Sequence, residues 1–223
     1  MFVARVKYGV SLGLALVAIA GLGCSKDSTG PVAVEPGNGT AVNLKGTLAN
    51  ASLSGDIDIT IAGTATSGVA AVTGCVYLRT ATCVSAPGTY TVASKALSFG
   101  TASPALAFTG TYSGGVVQGA FTGTSGAGVF TVRDGTVSVY CGTFAGAASG
   151  RWNFVIDGST LDGLYNDGSG NYRLTGTVSG NSLSITYAAG TATGTLSGAT
   201  ASGSWSAGGG SGTWTGSNSG CRS

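Results

Sequence analysis

The stretch that decides the fold runs from Asn171 to Ser197, NYRLTGTVSGNSLSITYAAGTATGTLS. Leu183, Ile185 and Tyr187 alternate with Ser184 and Thr186. That period of two places apolar groups on one face and hydroxyls on the other, as in a half-buried strand. Gly180-Asn181 stands just before this run, and such a pair suits a hairpin loop needing positive φ. Glycines followed by Thr recur at Gly176, Gly194 and, farther on, Gly212, 18 residues apart each time. One strand and its turn take about nine residues, so the repeat is one hairpin. The stretch is therefore an antiparallel up-and-down meander.

The same texture extends outward. Asp56 to Ile61 alternates Asp or Thr with Ile, and Trp152, Phe154 and Ile156 share one face of their run. Asp134-Gly135, Asp157-Gly158 and Asp167-Gly168 add further turn signals. Gly46, Gly142 and Gly110 begin related Gly-Thr units. Strands are expected over 42–49, 55–63, 69–79, 84–93, 96–101, 105–113, 116–124 and 127–133 in the first half. In the second half they fall over 137–145, 151–157, 160–166, 171–179, 182–188, 191–197, 201–206 and 211–216. The chain is all-β: one barrel or sandwich, or two tandem meander units, 41–135 and 136–223. After the first 25 residues no ten-residue stretch has convincing helical periodicity.

Composition narrows the function. Gly, Thr and Ser number 41, 29 and 27 of 223 residues, charged residues make up 8%, and His is absent. A long soluble helix, a coiled coil and collagen are excluded. A net charge of +2 is too small for a nucleic-acid binder. Without His, His-dependent catalysis and His-ligated metals are excluded. There is no phosphate loop or zinc-type C-x-x-C pair. No cofactor is expected, and the chain reads as a non-enzyme.

Arg5 and Lys7 precede an uncharged, apolar run from Tyr8 to Ser25, the layout of a secretory signal. Cys24 ends that run after Gly23. Residues 1–23 thus read as a signal peptide, and 24–40 as a lipidated cysteine and flexible tether rich in Pro and Gly. Cleavage after Ala18-Ile19-Ala20 is the competing reading. Acylation of Cys24 removes the odd thiol of five and leaves Cys75, Cys83, Cys141 and Cys221 for two disulfides. Cys75–Cys83 with Cys141–Cys221 would tie the first strand of the second unit to its end, as barrel closure requires. The pairings 75–141 with 83–221, and 75–221 with 83–141, remain open.

Three candidate sites stand out. Trp152, Trp205 and Trp214, with Tyr165, Tyr172 and Tyr187, lie in the second half and would stack on a sugar or small flat ligand if they line a barrel mouth. Asp56 and Asp58 would lie about 6.8 Å apart on one strand face, a spacing of interest for glycosidic chemistry, though an exposed polar face explains them as well. Asp157, Asp162, Asn166, Asp167 and Asn171 offer oxygen ligands for Ca²⁺ and fit hairpin turns equally.

Residues 1 to about 40 resemble a bacterial lipoprotein signal and tether, with Gly21 where that family favours Leu. The body, through Leu174-Thr175-Gly176-Thr177-Val178 and Ala192-Thr193-Gly194-Thr195-Leu196, resembles Gly/Ser/Thr-rich β-meander lipoproteins of unassigned function from environmental Gram-negative bacteria. Its hairpins also faintly resemble avidin-type eight-stranded barrels. The resemblance implies a protein of the bacterial cell envelope, anchored in a membrane through Cys24. Its body would be a display or interaction module, with a small ligand, a glycan or an envelope protein as partner. A ligand-binding barrel is the alternative, followed by a transmembrane barrel and an enzyme.

Overall fold

The computed structural model describes residues 35–222. The signal segment and Cys24 lie outside these residues. Among the described residues seventeen strands follow one another without a helix: β1 (Val42–Ala49), β2 (Ser54–Thr66), β3 (Val69–Tyr77), β4 (Val84–Ser85), β5 (Gly88–Thr91), β6 (Ala96–Ala102), β7 (Ala105–Ser113), β8 (Val116–Gly123) and β9 (Gly128–Asp134) in the first half. The second half holds β10 (Ser138–Gly146), β11 (Gly150–Asp157), β12 (Thr160–Asn166), β13 (Asn171–Ser179), β14 (Ser182–Tyr187), β15 (Gly190–Ser197), β16 (Thr200–Ala207) and β17 (Gly210–Ser217).

They close into two antiparallel eight-stranded barrels. In the first, β1 pairs with both β2 and β9, and short β4 hangs on β3. In the second, β10 pairs with both β11 and β17. Closure leaves only short β4 with a free edge among the described strands, which matters for a sheet with so few charges to discourage edge pairing. The sandwich and the single barrel are thereby set aside.

Alternation fills the first interior. Leu44 and Leu48, Ile57, Ile59 and Ile61 are fully buried, and Phe99 stacks on Phe108 at 4.4 Å with Phe121 and Phe130 beside them. Opposite these rings the partner strand supplies glycine: Gly119 pairs with Phe130 and Gly128 with Phe121. A Cβ at Gly119 would come within 2.6 Å of the Phe130 ring. Gly119 and Gly128 are therefore seats for aromatic rings, a cross-strand pairing that compensates a residue weak in strands.

Outside, alternation puts hydroxyls in water; Thr191, Thr193 and Thr195 are exposed on the curved wall of β15. Among the described residues Val69 is the large apolar side chain left exposed. The outer faces therefore lack the apolar band of a lipid-facing barrel.

The strand expected over 84–93 is interrupted. Ala86 still donates to Gly74 O at 2.9 Å, but Pro87 has no N–H and the ladder restarts at Gly88. The tether also ends earlier than its composition suggests. Pro36 is buried, Asn38 bridges to Thr64, and Gly39 N donates to Gly63 O at 2.7 Å. Glu35 pairs with Lys95 at 2.9 Å. Residues 35–40 are thus docked on the first barrel beside the irregularity in β2 between Ile61 and Ala65.

The disulfides are Cys75–Cys83 and Cys141–Cys221. The first ties β3 to the loop before β4. The second ties β10 to the segment after β17, at the seam where the second barrel closes.

The barrels share a buried contact. Asp56, Thr47 and Thr131 form a row across β2, β1 and β9 that points out of the first barrel yet is buried. Covering that side are the outward residues of β11 and β12: Asn153, Val155 and Leu164, all buried. Asn153 Nδ2 donates to Leu48 O at 2.8 Å. Arg133 pairs with Asp162 and, at 3.5 Å, with Asp157. Arg222 crosses to Asp56 at 2.8 Å and covers the Tyr77 ring at 3.7 Å.

This contact corrects the reading of two acidic groups. Asp56 is not on an exposed face: it is 5% exposed and committed to Arg222. Asp157 and Asp162 face Arg133, away from the turn that holds Asn166, Asp167 and Asn171. Among the described residues no group of three acidic or Cys side chains is arranged to hold a metal.

Candidate functional site: the mouth of the second barrel

Inward positions of the second barrel carry its largest side chains. Trp152 and Phe154 alternate with Asn153 on β11 and stack at 4.6 Å, 13° between planes. Trp214 of β17 stands edge-on to Trp152 at 5.2 Å and 84°. Phe144 of β10 stands edge-on to Tyr165 of β12 (6.0 Å, 80°) and to Trp205 of β16 (6.0 Å, 84°). Tyr187 of β14 meets Tyr165 at 5.2 Å and 66°.

Each tryptophan sits directly opposite a glycine. Register pairs Trp152 with Gly142, Trp205 with Gly212 and Trp214 with Gly203. A Cβ at Gly203 would collide with Thr193 O and approach Trp214 to 2.7 Å. Two of these seats, Gly142 and Gly212, belong to the Gly-Thr repeat, and the third is Gly203.

These rings do not fill the barrel end. Between them, beneath Ala148, Ala189 and Ala207 of the turn region, lies a cavity of about 150 Å³ lined also by Leu174, Ile185 and Ala192. A space of that order admits a single ring such as benzene.

Of the six aromatic residues singled out from sequence, Trp152, Trp205, Trp214, Tyr165 and Tyr187 line this cavity. Tyr172 does not. It stacks on Tyr165 at 4.9 Å, with its hydroxyl 3.1 Å from Ser169 Oγ. Phe144, Phe154 and Asp167 are lining residues that sequence reasoning did not assign there. Phe154 was recognisable, because it shares a face with Trp152. Phe144 follows Gly142 by two residues, so register alone would have turned it inward.

The polar atoms of the lining are largely engaged. The indole N–H groups of Trp152, Trp205 and Trp214 donate to Thr143 O (3.1 Å), Ala145 O (3.2 Å) and Ser204 O (3.3 Å). Tyr187 donates to Ser206 O at 3.3 Å. Burial raises the Tyr187 phenol above its ordinary value, and burial followed by the Asp167 charge does the same to Tyr165. Asp167, at the rim, is the one charged residue of the lining. The Ser169 hydroxyl, then the Ser169 and Gly170 amides, hold its carboxyl below the ordinary range. Their bonds, at 2.7, 2.9 and 3.3 Å, all fall on Oδ1.

Known protein families, curated proteins and solved structures offer no match to this chain.

Beside the cavity lies a second, polar cleft of about 330 Å³ between the β1–β2 turn and β11–β12. Asn50, Ser52, Arg151 and Asn153 line it, and Trp152 and Asp167 border both spaces.

Proposed function

We propose that the protein is an envelope-anchored, non-enzymatic binding protein that takes a compact apolar group into the mouth of its second barrel. The observation that carries this reading is the ring-walled cavity of about 150 Å³. The rings around it are locked by backbone hydrogen bonds and glycine seats, so little ordering cost remains to be met on binding. A glycan fits less well: each buried sugar hydroxyl needs a partner, and the indole donors are already used. Catalysis by a carboxylate pair is not supported, because Asp56 and Asp162 are held by arginines and Asp167 stands alone at the rim.

All three tryptophans of the chain line the cavity, so intrinsic fluorescence reports it directly. Toluene is expected to change that fluorescence saturably and to raise the melting temperature. Ala192→Leu, which fills the space, should abolish both effects while leaving the fold intact. A flat titration with the wild-type protein would refute the reading.

A further inference from the structure

The box has a chemical preference narrower than apolarity. Its walls are rings set nearly perpendicular to their neighbours, Phe144 to both Tyr165 and Trp205, and Trp152 to Trp214. Aromatic faces carry negative potential, and a cation within about 6 Å of a ring centroid is attracted to it. The lining contains no Lys or Arg, and its one charge is the anion Asp167. Arg151 lies one residue from Trp152, and strand alternation sends it to the polar cleft instead. Three indole N–H groups and the Tyr187 hydroxyl are spent on backbone carbonyls. A primary ammonium would bring three N–H donors into a space whose acceptors are the rim carboxylate, the Tyr165 and Tyr187 oxygens and ring faces. A cation without N–H groups leaves nothing unpaired.

We propose that the cavity binds a quaternary ammonium group, with the trimethylammonium head among the rings of Phe144, Trp152, Tyr165, Trp205 and Trp214 and Asp167 as its counter-ion at the rim. This rests on the proposed binding role of the same cavity and names the chemistry it selects. The volume suits the head, whose bulk is close to that of a benzene ring. Asp167 Oδ2 takes none of the turn's hydrogen bonds. Its charge persists through the neutral range because the Ser169 hydroxyl and the turn amides stabilise it.

The test compares choline with its neutral carbon isostere, 3,3-dimethylbutan-1-ol, by tryptophan fluorescence and calorimetry on the full-length protein. Choline is expected to bind about tenfold more tightly than the isostere, a difference of the size a desolvated cation–π site gives. Asp167→Asn keeps the turn's acceptor oxygen, so it should weaken choline about threefold, the share a solvent-exposed ion pair supplies, and leave the isostere unchanged. Rising salt should weaken choline alone. Equal binding of the two compounds would overturn the cation and leave the apolar cavity standing. Binding of neither would overturn both. Sedimentation with phosphatidylcholine vesicles against phosphatidylglycerol vesicles, with free choline as competitor, then separates the sources. Choline-sensitive binding to the former alone identifies a lipid headgroup; choline binding without vesicle binding identifies a soluble ligand.

Discussion

Arg222 shows how much one side chain can hold at the join between the barrels. It bonds Asp56, approaches Asp58 at 3.8 Å and covers the Tyr77 ring. Burial raises the Asp56 carboxyl above its ordinary value, and the hydrogen bond and charge of Arg222 offset part of that rise. A carboxyl that binds its proton more tightly folded than unfolded contributes stability that is complete below its unfolded value and lost as pH rises through the folded one. Arg222→Ala removes the offset and leaves Asp56 ionised and unpaired at neutral pH. The expected cost there is about 1–3 kcal/mol, less than for a fully buried pair because the Arg222 side chain is 37% exposed. The deficit should shrink on acidification, as Asp56 takes up its proton. Urea unfolding at pH 7 and at mildly acid pH measures it, and a deficit that does not change with pH would contradict the account. The sequence carried no sign of this pairing: 166 residues separate the partners, and an Asp-Ile alternation reads the same whether its polar face meets water or another barrel.

At the scale of elements, legibility was high where side chains have one job. Strands β1, β7, β12 and β13 begin and end where alternation and turn residues place them. The misreadings fall where a second constraint acts. Pro87 breaks a strand because it lacks a donor, and β2 runs on to Thr66 through a bulge that alternation does not reveal. Strand β11 held an unused clue. Val155 and Asn153 sit on the face opposite Trp152 and Phe154, and a strand apolar on both faces announces two-sided burial. The cavity was legible as a set of residues but not as a space, because its emptiness depends on how Ala192 and the turn alanines line up across strands. The two disulfides act on different elements. Cys141–Cys221 spans 80 residues and Cys75–Cys83 spans eight. In the chain-entropy model, removing the longer link should cost about 2 kcal/mol more than removing the shorter. Paired Cys→Ala variants compared by denaturant unfolding give that difference directly. An equal cost would mean that unfolded-state entropy is not what the seam bridge supplies.

For the whole molecule, the two barrels behave as one packed body joined through Val155, Leu164 and Asn153, with the ring-walled cavity at one end of the second. The proposed anchor belongs to this scale too. The intact mass of native protein from a membrane fraction should correspond to a chain beginning at Cys24 and carrying acyl groups, and should gain the mass of four hydrogens on reduction. A soluble product beginning at Gly21 would count against the anchor and leave Cys24 as a thiol. The docking of Glu35 to Thr40 on the first barrel then acquires a geometric meaning. With those residues fastened by the Lys95 pair and the Gly39–Gly63 bond, ten residues lie between Cys24 and Glu35. Covalent geometry caps the span of that stretch at about 40 Å, roughly one bilayer thickness. If Cys24 carries the proposed anchor, the barrels stay within that distance of their own membrane, and whatever enters the cavity has to be met there.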